Sequence, residues 1–195
     1  MKVLGRKTSG NVQKVLFLLE ELGADYSRED YGRQFGNTGS AEYLAMNPAG
    51  KVPTLVDGEL TIWESHSILR YIAAKAGSAL YPADLAARAR IEPWMDWLLA
   101  ALNDTYVAIF KASKGGESVP EAAAKTLVEC LTLLEGRLAR SPWLAGSEIS
   151  LAEIALAPIV HRCLGFPVEL PPLPALRAWH GKLAARPSFQ KACSA

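Results

Sequence analysis

Near the start of the chain, a run of glycine, hydroxyl and amide residues separates two apolar segments: Gly5-Arg6-Lys7-Thr8-Ser9-Gly10-Asn11-Val12-Gln13-Lys14-Val15. A short strand that breaks through glycine into an amphipathic helix puts Thr8, Ser9 and Asn11 at a helix start. The first N–H groups of a helix lack intrahelical partners and carry partial positive charge, so a helix start holds an anion that neighbouring hydroxyls also contact. A thiolate is such an anion. The segment contains no cysteine, so a sulfur here has to arrive on a small molecule, which points to a thiol-using enzyme rather than a redox protein.

Other chemistry-bearing residues carry two readings each. Asn47-Pro48-Ala49-Gly50-Lys51-Val52-Pro53 is rich in turn formers and on its own reads equally as a surface turn. Glu64 and Ser65 precede an apolar-periodic run, where an N–H, a hydroxyl and the helix dipole together hold a carboxylate; serine is also a good N-cap, and the two roles are compatible. His66, His161 and His180 have no serine or cysteine partner in a hydrolase-like motif and no metal-ligand spacing, so they read as structural or surface residues and no metal is implied. Cys130, Cys163 and Cys193 are far apart and odd in number, which fits neither a disulfide framework nor a zinc site. Trp94, Trp97, Tyr106 and Phe110 recur along one predicted helix, where aromatics usually belong to the core.

Alternating strand and helix signals position these residues in the first eighty. Val3-Leu4 opens a strand. Val12, Val15, Leu16, Leu19 and Leu22 repeat at helical spacing until Gly23, a natural stop. Ala24 to Tyr31 reads as a second strand, the glycine-rich stretch from Gly32 to Ser40 as a loop, and Glu42 to Asn47 as a short turn or helix. Val52 to Val56 and Leu60 to Trp63 form a hairpin through Asp57-Gly58. Ser65 caps a helix with Ile68, Leu69 and Ile72 on one face and Gly77 beyond its end. The order β-α-β, loop, β-β-α is that of a thioredoxin-like module.

Beyond this point every period is helical. Tyr81 to Leu85 reads as linker, with Asp84 a cap candidate. Leu85 to Lys111 is one long helix or two with a kink at Pro93, and Ala122 to Ala139 carries the stripe Leu127, Leu131, Leu134 and Leu138. Ser150-Leu151-Ala152-Glu153 is a capping box opening a nearly all-apolar, hence buried, helix. Leu173 to Ala185 is the last amphipathic helix, ending at Arg186-Pro187. The fold class is therefore an α/β thioredoxin-like domain over residues 1–80, a linker over 81–87, and an all-α domain over 88–195.

Composition limits the partners. The 195 residues are 50% hydrophobic, enough for two small cores. Lys+Arg and Asp+Glu number 21 and 20, and residues 1–80 hold nine of each, so neither half offers the basic surface of a nucleic-acid binder. The N-terminus lacks an apolar core followed by a small-residue cleavage site, and no apolar run approaches the ~20 residues of a membrane span. A soluble, cytoplasmic protein is expected.

Four ordered segments resemble the cytosolic glutathione transferases across essentially the whole chain: Ser9 with Lys14-Val15, Asn47 to Pro53, Glu64-Ser65-His66-Ser67-Ile68, and the Ser150 box followed by Leu176-Arg177-Ala178-Trp179. The resemblance implies a glutathione-binding N-terminal domain and a helical domain supplying the electrophile pocket. It implies a cis bond before Pro53, with the backbone of Val52 paired to glutathione, and γ-glutamyl contacts from Glu64 to the ammonium and Ser65 to the carboxylate. Lys51 is the first choice for the glycine carboxylate, ahead of Arg33 and Asn37, and Tyr106 and Phe110 are the choices for the electrophile.

Ser9 matches the catalytic serine of the serine-type classes by its spacing to Val15, Asn11 is similar to bacterial sites in which a hydroxyl and an asparagine share the task, and Thr8 is a third option. A tyrosine-type site is excluded because no tyrosine precedes Tyr26, and a cysteine-type site by the absence of cysteine. A free thiol has a pKa of about 8.5, and lowering it by ~2 units takes about 2.7 kcal/mol, within reach of a charge-assisted hydrogen bond plus a helix start. Glu153 replaces the family's usual aspartate in the capping box. The expected protein is a homodimer that uses glutathione as cosubstrate. The rivals are a glutathione-dependent peroxidase or disulfide reductase on the same site, and a non-catalytic binder of glutathione or apolar ligands.

Overall fold

The computed structural model describes residues 1–193. They form two compact units, Met1–Tyr81 with the described residues from Ala185 on, and Pro82–Ala184.

In the first unit, β1 (Lys2–Leu4) leads into α1 (Gly10–Glu21), and β2 (Ser27–Glu29) returns parallel to β1 with Val3 opposite Arg28. A parallel pair needs a crossover, and α1 is that crossover. The helix stops in a Schellman arrangement: Gly23, at φ +60°, donates to the carbonyl of Glu20 and Ala24 to that of Leu19.

A 3-10 turn at Arg33–Phe35 and α2 (Ala41–Met46) occupy the expected loop and short helix. Then β3 (Thr54–Asp57) lies antiparallel to β1 and pairs with β4 (Leu60–Trp63), giving the order β2-β1-β3-β4. Asp57 pairs with Leu60, so the hairpin loop is Gly58-Glu59, one residue later than Asp57-Gly58. Glycine takes the first loop position at φ +63°, while the Asp57 carboxylate accepts from the Tyr71 hydroxyl at 2.7 Å and pairs with Lys75, both on α3 (Ser65–Lys75). Val3, Leu4 and Leu55 of the sheet are buried, as are Val12, Val15, Leu16 and Leu19 of α1 and Ile68, Leu69 and Ile72 of α3.

The second unit opens with α4 (Leu85–Trp97), capped by Asp84, whose carboxylate accepts from the N–H of Ala87 at 2.7 Å. Pro93 lies inside α4 without ending it. The break comes further on, at a π-helical turn over Leu98–Leu102, after which α5 (Asn103–Gly115) continues. Leu98 and Leu102, at the two ends of this turn, are both buried, as residues four apart share a helix face.

Next come α6 (Glu121–Leu138), with its predicted leucine stripe buried, α7 (Leu151–Cys163), buried from Leu151 to Val160, and α8 (Pro174–Ala184). The box before α7 is present, and Glu153 exceeds its expected role. Its carboxylate accepts from the N–H and hydroxyl of Ser150 and, at 2.6 Å, from the N–H of Leu144, which ties the preceding loop to the helix. Burial pushes its pKa up, against those donors.

One element was not foreseen. Arg186-Pro187 does not end the helical region but starts α9 (Pro187–Cys193), since proline suits a first helical position. Helix α9 packs on α1: the rings of Phe17 and Phe189 meet edge-on at 5.3 Å, and Arg186 pairs with Glu21. Contacts therefore group the end of the expected 88–195 domain with the N-terminal unit.

Candidate functional site

Strand β1 hands the chain to α1 through Gly5, where a Cβ would fall 2.5 Å from Val12 Cγ2 and 3.2 Å from Val52 Cβ. Only glycine lets the strand end run this close to both. Ser9 is the N-cap of α1, with extended backbone, yet its hydroxyl makes no capping bond; the hydroxyls of Ser40 and Ser150 do cap, accepting from Tyr43 and Ala152. Helix α1 has no acid in its first turn to offset its positive end.

This helix start opens on a cavity of about 290 Å³ lined by Arg6, Ser9, Asn11, Gly32, Arg33, Thr38, Gly50, Lys51 and Val52. Three of these residues are cationic and none is acidic, which suits an anionic guest. The expected Ser9, Asn11, Lys51 and Val52 are thus brought together, along with Arg33. Thr8 is exposed and outside the lining. Asn37 is used in its own loop, accepting from the N–H of Gly32 at 3.0 Å and donating to the carbonyl of Asp30 at 3.1 Å. Arg6, Gly32 and Thr38 were not foreseen; the basic pair Arg6-Lys7 before the helix start was the available signal for the first.

The Asn47–Pro53 segment is held from behind. The side chain of Asn47, 2% exposed, donates to the carbonyl of Lys51 at 2.7 Å and the hydroxyl of Thr54 at 2.9 Å, and Tyr43 also donates to Lys51 at 2.7 Å. The Val52–Pro53 bond is cis, as expected. These ties fix the main chain at Val52, on the cavity wall.

Glu64 and Ser65 lie outside that lining. Ser65 is not the cap of α3 but its first residue; Glu64 is the N-cap, at φ +66° with no side-chain capping bond. A non-glycine residue in this region costs about 1–3 kcal/mol and persists only where its surroundings hold it, commonly at ligand sites. Freed from capping, the Ser65 hydroxyl donates to Asn11 Oδ1 at 3.4 Å, linking the starts of α3 and α1.

In the helical unit, Tyr106 is nearly enclosed. Its ring stacks on Phe166 and tilts against Phe110, both at 5.9 Å between centroids, and Arg162 donates to its hydroxyl at 3.3 Å and covers Phe110. Phe110 is half-buried. Phe166 and Arg162 come from a turn and a helix distant in sequence, which no periodicity connects to α5. A larger groove of about 870 Å³ on this unit is rimmed by Glu117, Glu121, Glu129 and Glu169 against Lys125, the wrong sign for an anionic guest. Among the described residues no cluster of histidine, cysteine or acidic side chains could hold a metal, and no helix is long and apolar enough to cross a membrane.

Residues 1–74 match the model of the glutathione S-transferase N-terminal domain, and residues 85–182 match that of the C-terminal domain. The glutathione S-transferase GstB of Escherichia coli is 36% identical over 96% of this chain and 94% of its own. Glutathione S-transferase 3 of Zea mays is 34% identical over 100% and 94%. Among solved structures, the theta class glutathione S-transferase of Xanthomonas axonopodis pv. citri with glutathione bound superposes with a TM-score of 0.91 at 34% identity, over 100% of this chain and 97% of that one.

Proposed function

From the chain's membership of the glutathione S-transferase family, we propose that it is a cytoplasmic, homodimeric transferase in which Ser9 holds the thiolate of glutathione for attack on a small hydrophobic electrophile. The observation that carries this reading is the cationic cavity at the start of α1, with a serine hydroxyl on its wall that caps nothing. The hydroxyl donates to the sulfur while the helix start adds its field, so the thiol loses its proton to solvent before the reaction. The sulfur lone pair then forms the new bond to the electrophile, and the leaving group departs with its electron pair.

The rest of glutathione is assigned accordingly. The main chain of Val52 beside Pro53 pairs with its cysteinyl backbone, and Lys51, with Arg33 and Arg6 adding charge, takes its glycine carboxylate. Glu64 takes the γ-glutamyl ammonium and Ser65 the carboxylate at the start of α3. Tyr106 and Phe110 are assigned to the electrophile, with Phe110 the more accessible of the two.

Two substitutions test the division of labour. In Ser9→Ala, kcat should fall at least tenfold, or about 1.4 kcal/mol of transition-state stabilisation, with the KM for glutathione within about twofold. Ser65→Ala should raise that KM and leave kcat at saturation nearly unchanged. If Ser9→Ala raises KM alone, Ser9 is a binding residue and the assignment fails.

A second reading rests on Asn11, which lines the cavity and accepts from Ser65. If Asn11 rather than Ser9 governs the thiol, the same site would run as a peroxidase or disulfide reductase. Turnover of a hydroperoxide with reductase coupling, abolished in Asn11→Ala and retained in Ser9→Ala, would favour it.

A further inference from the structure

Lys14, on α1, has no solvent exposure, and its Nζ lies 3.2 Å from Nε2 of His66, the buried second residue of α3. While Lys14 is an ammonium it can only donate, and Nε2 is then the acceptor. Val15, Leu16 and Leu18 around Lys14 are also buried, so an apolar residue would suit the position without the cost of burying a charge. Burial lowers the Lys14 pKa to about 7, with the charge of Glu64 opposing the shift. The group Lys14 grips follows Ser65 directly, and two residues before His66 stands Glu64, in a backbone conformation that needs support.

We propose that Lys14 is a positioning residue for the γ-glutamyl half of glutathione: by bonding His66 from within the fold it fixes the first turn of α3, and with it Glu64 and Ser65. Amine and ammonium both donate, so the bond survives either protonation state. The inference rests on the reading above that Glu64 and Ser65 hold that half of the ligand. An apolar side chain at position 14 would fill the space but remove the bond to His66 in the first turn of α3.

The test is steady-state kinetics on the full-length enzyme with Lys14→Met, read with thermal stability. The expected result is a glutathione KM raised about tenfold, with kcat at saturating glutathione and the electrophile KM each within about twofold and Tm unchanged or higher, because a buried charge has been removed. A purely structural lysine gives a lower Tm with KM unmoved, and that outcome overturns the proposal. His66→Leu cuts the same bond from the other side, so it should raise KM alike, and the double variant should be no worse than either single one. An unchanged KM in His66→Leu overturns the proposal even if Lys14→Met fails to fold. Ser65→Ala separates the two levels: if it raises KM while Lys14→Met and His66→Leu do not, positioning by Lys14 is wrong and the site stands; if Ser65→Ala leaves KM unmoved, both fall.

Discussion

Buried Lys14 contributes a dependence of stability on pH above neutrality. Lys14 falls from the ordinary lysine range to about 7 in the folded chain, with burial the cause and Glu64 opposing it. Between pH 7 and about 10 the unfolded chain therefore binds a proton that the folded chain has released, and stability rises with pH across that window; the contribution is complete above the unfolded pKa and lost as pH falls through 7. Urea midpoints should climb from pH 7 to pH 9 in the wild type, with a shallower climb in Lys14→Met. Parallel slopes in the two proteins would mean that Lys14 keeps an ordinary pKa. The sequence makes Lys14 visible as part of the Ser9-to-Val15 pattern, but not as a buried residue: its partner His66 lies 52 positions away, and no local pattern shows which side of an amphipathic helix faces a second helix.

Elements with a strong local signal are where sequence and structure agree best. The helix from Gly10 stops at its glycine, the leucine stripe of α6 is buried, and Asp84 and Ser150 cap as expected. Disagreements arise where proline carries two meanings. Pro93 does not mark the helix break, and Pro187 begins a helix rather than closing one, because a residue without an N–H is harmless in a first turn. Recognising α9 takes knowledge of what it packs on, and Phe17 and Phe189 are 172 positions apart in the chain. Phe189 is 3% exposed and Phe17 fully buried, so Phe189→Ala should cost about 3 kcal/mol or more and release α9 from α1. Denaturant unfolding followed by hydrogen exchange on α1 would report both, and a loss below about 1 kcal/mol would show that α9 is not part of this core.

At the scale of the whole molecule, the cavity could be read only in part from sequence, because its wall is assembled from the strand end, the Gly32–Thr38 loop and the Gly50–Val52 segment. Motifs located Ser9, Asn11, Lys51 and Val52; Arg6 comes with the same strand end, whereas Gly32 and Thr38 join them only through the parallel return of β2 and the loop after it. Large apolar side chains remain exposed at Leu60 and Trp63 on the edge strand β4 and at Leu85 and Leu99 in the helical unit, which favours a second copy of the chain as their cover. Sedimentation at micromolar concentration should give a dimer, and Trp63→Glu should shift it toward monomer; a wild-type monomer would refute the proposed assembly.

The central claim, that Ser9 ionises the thiol of bound glutathione, is tested most directly by following the thiolate absorbance of the enzyme–glutathione complex against pH. The wild type should titrate ~2 units below the free thiol, near pH 6.5, and Ser9→Ala should titrate at least one unit higher. A Ser9→Ala complex that titrates at the wild-type pH, with Asn11→Ala shifting it instead, would contradict the account.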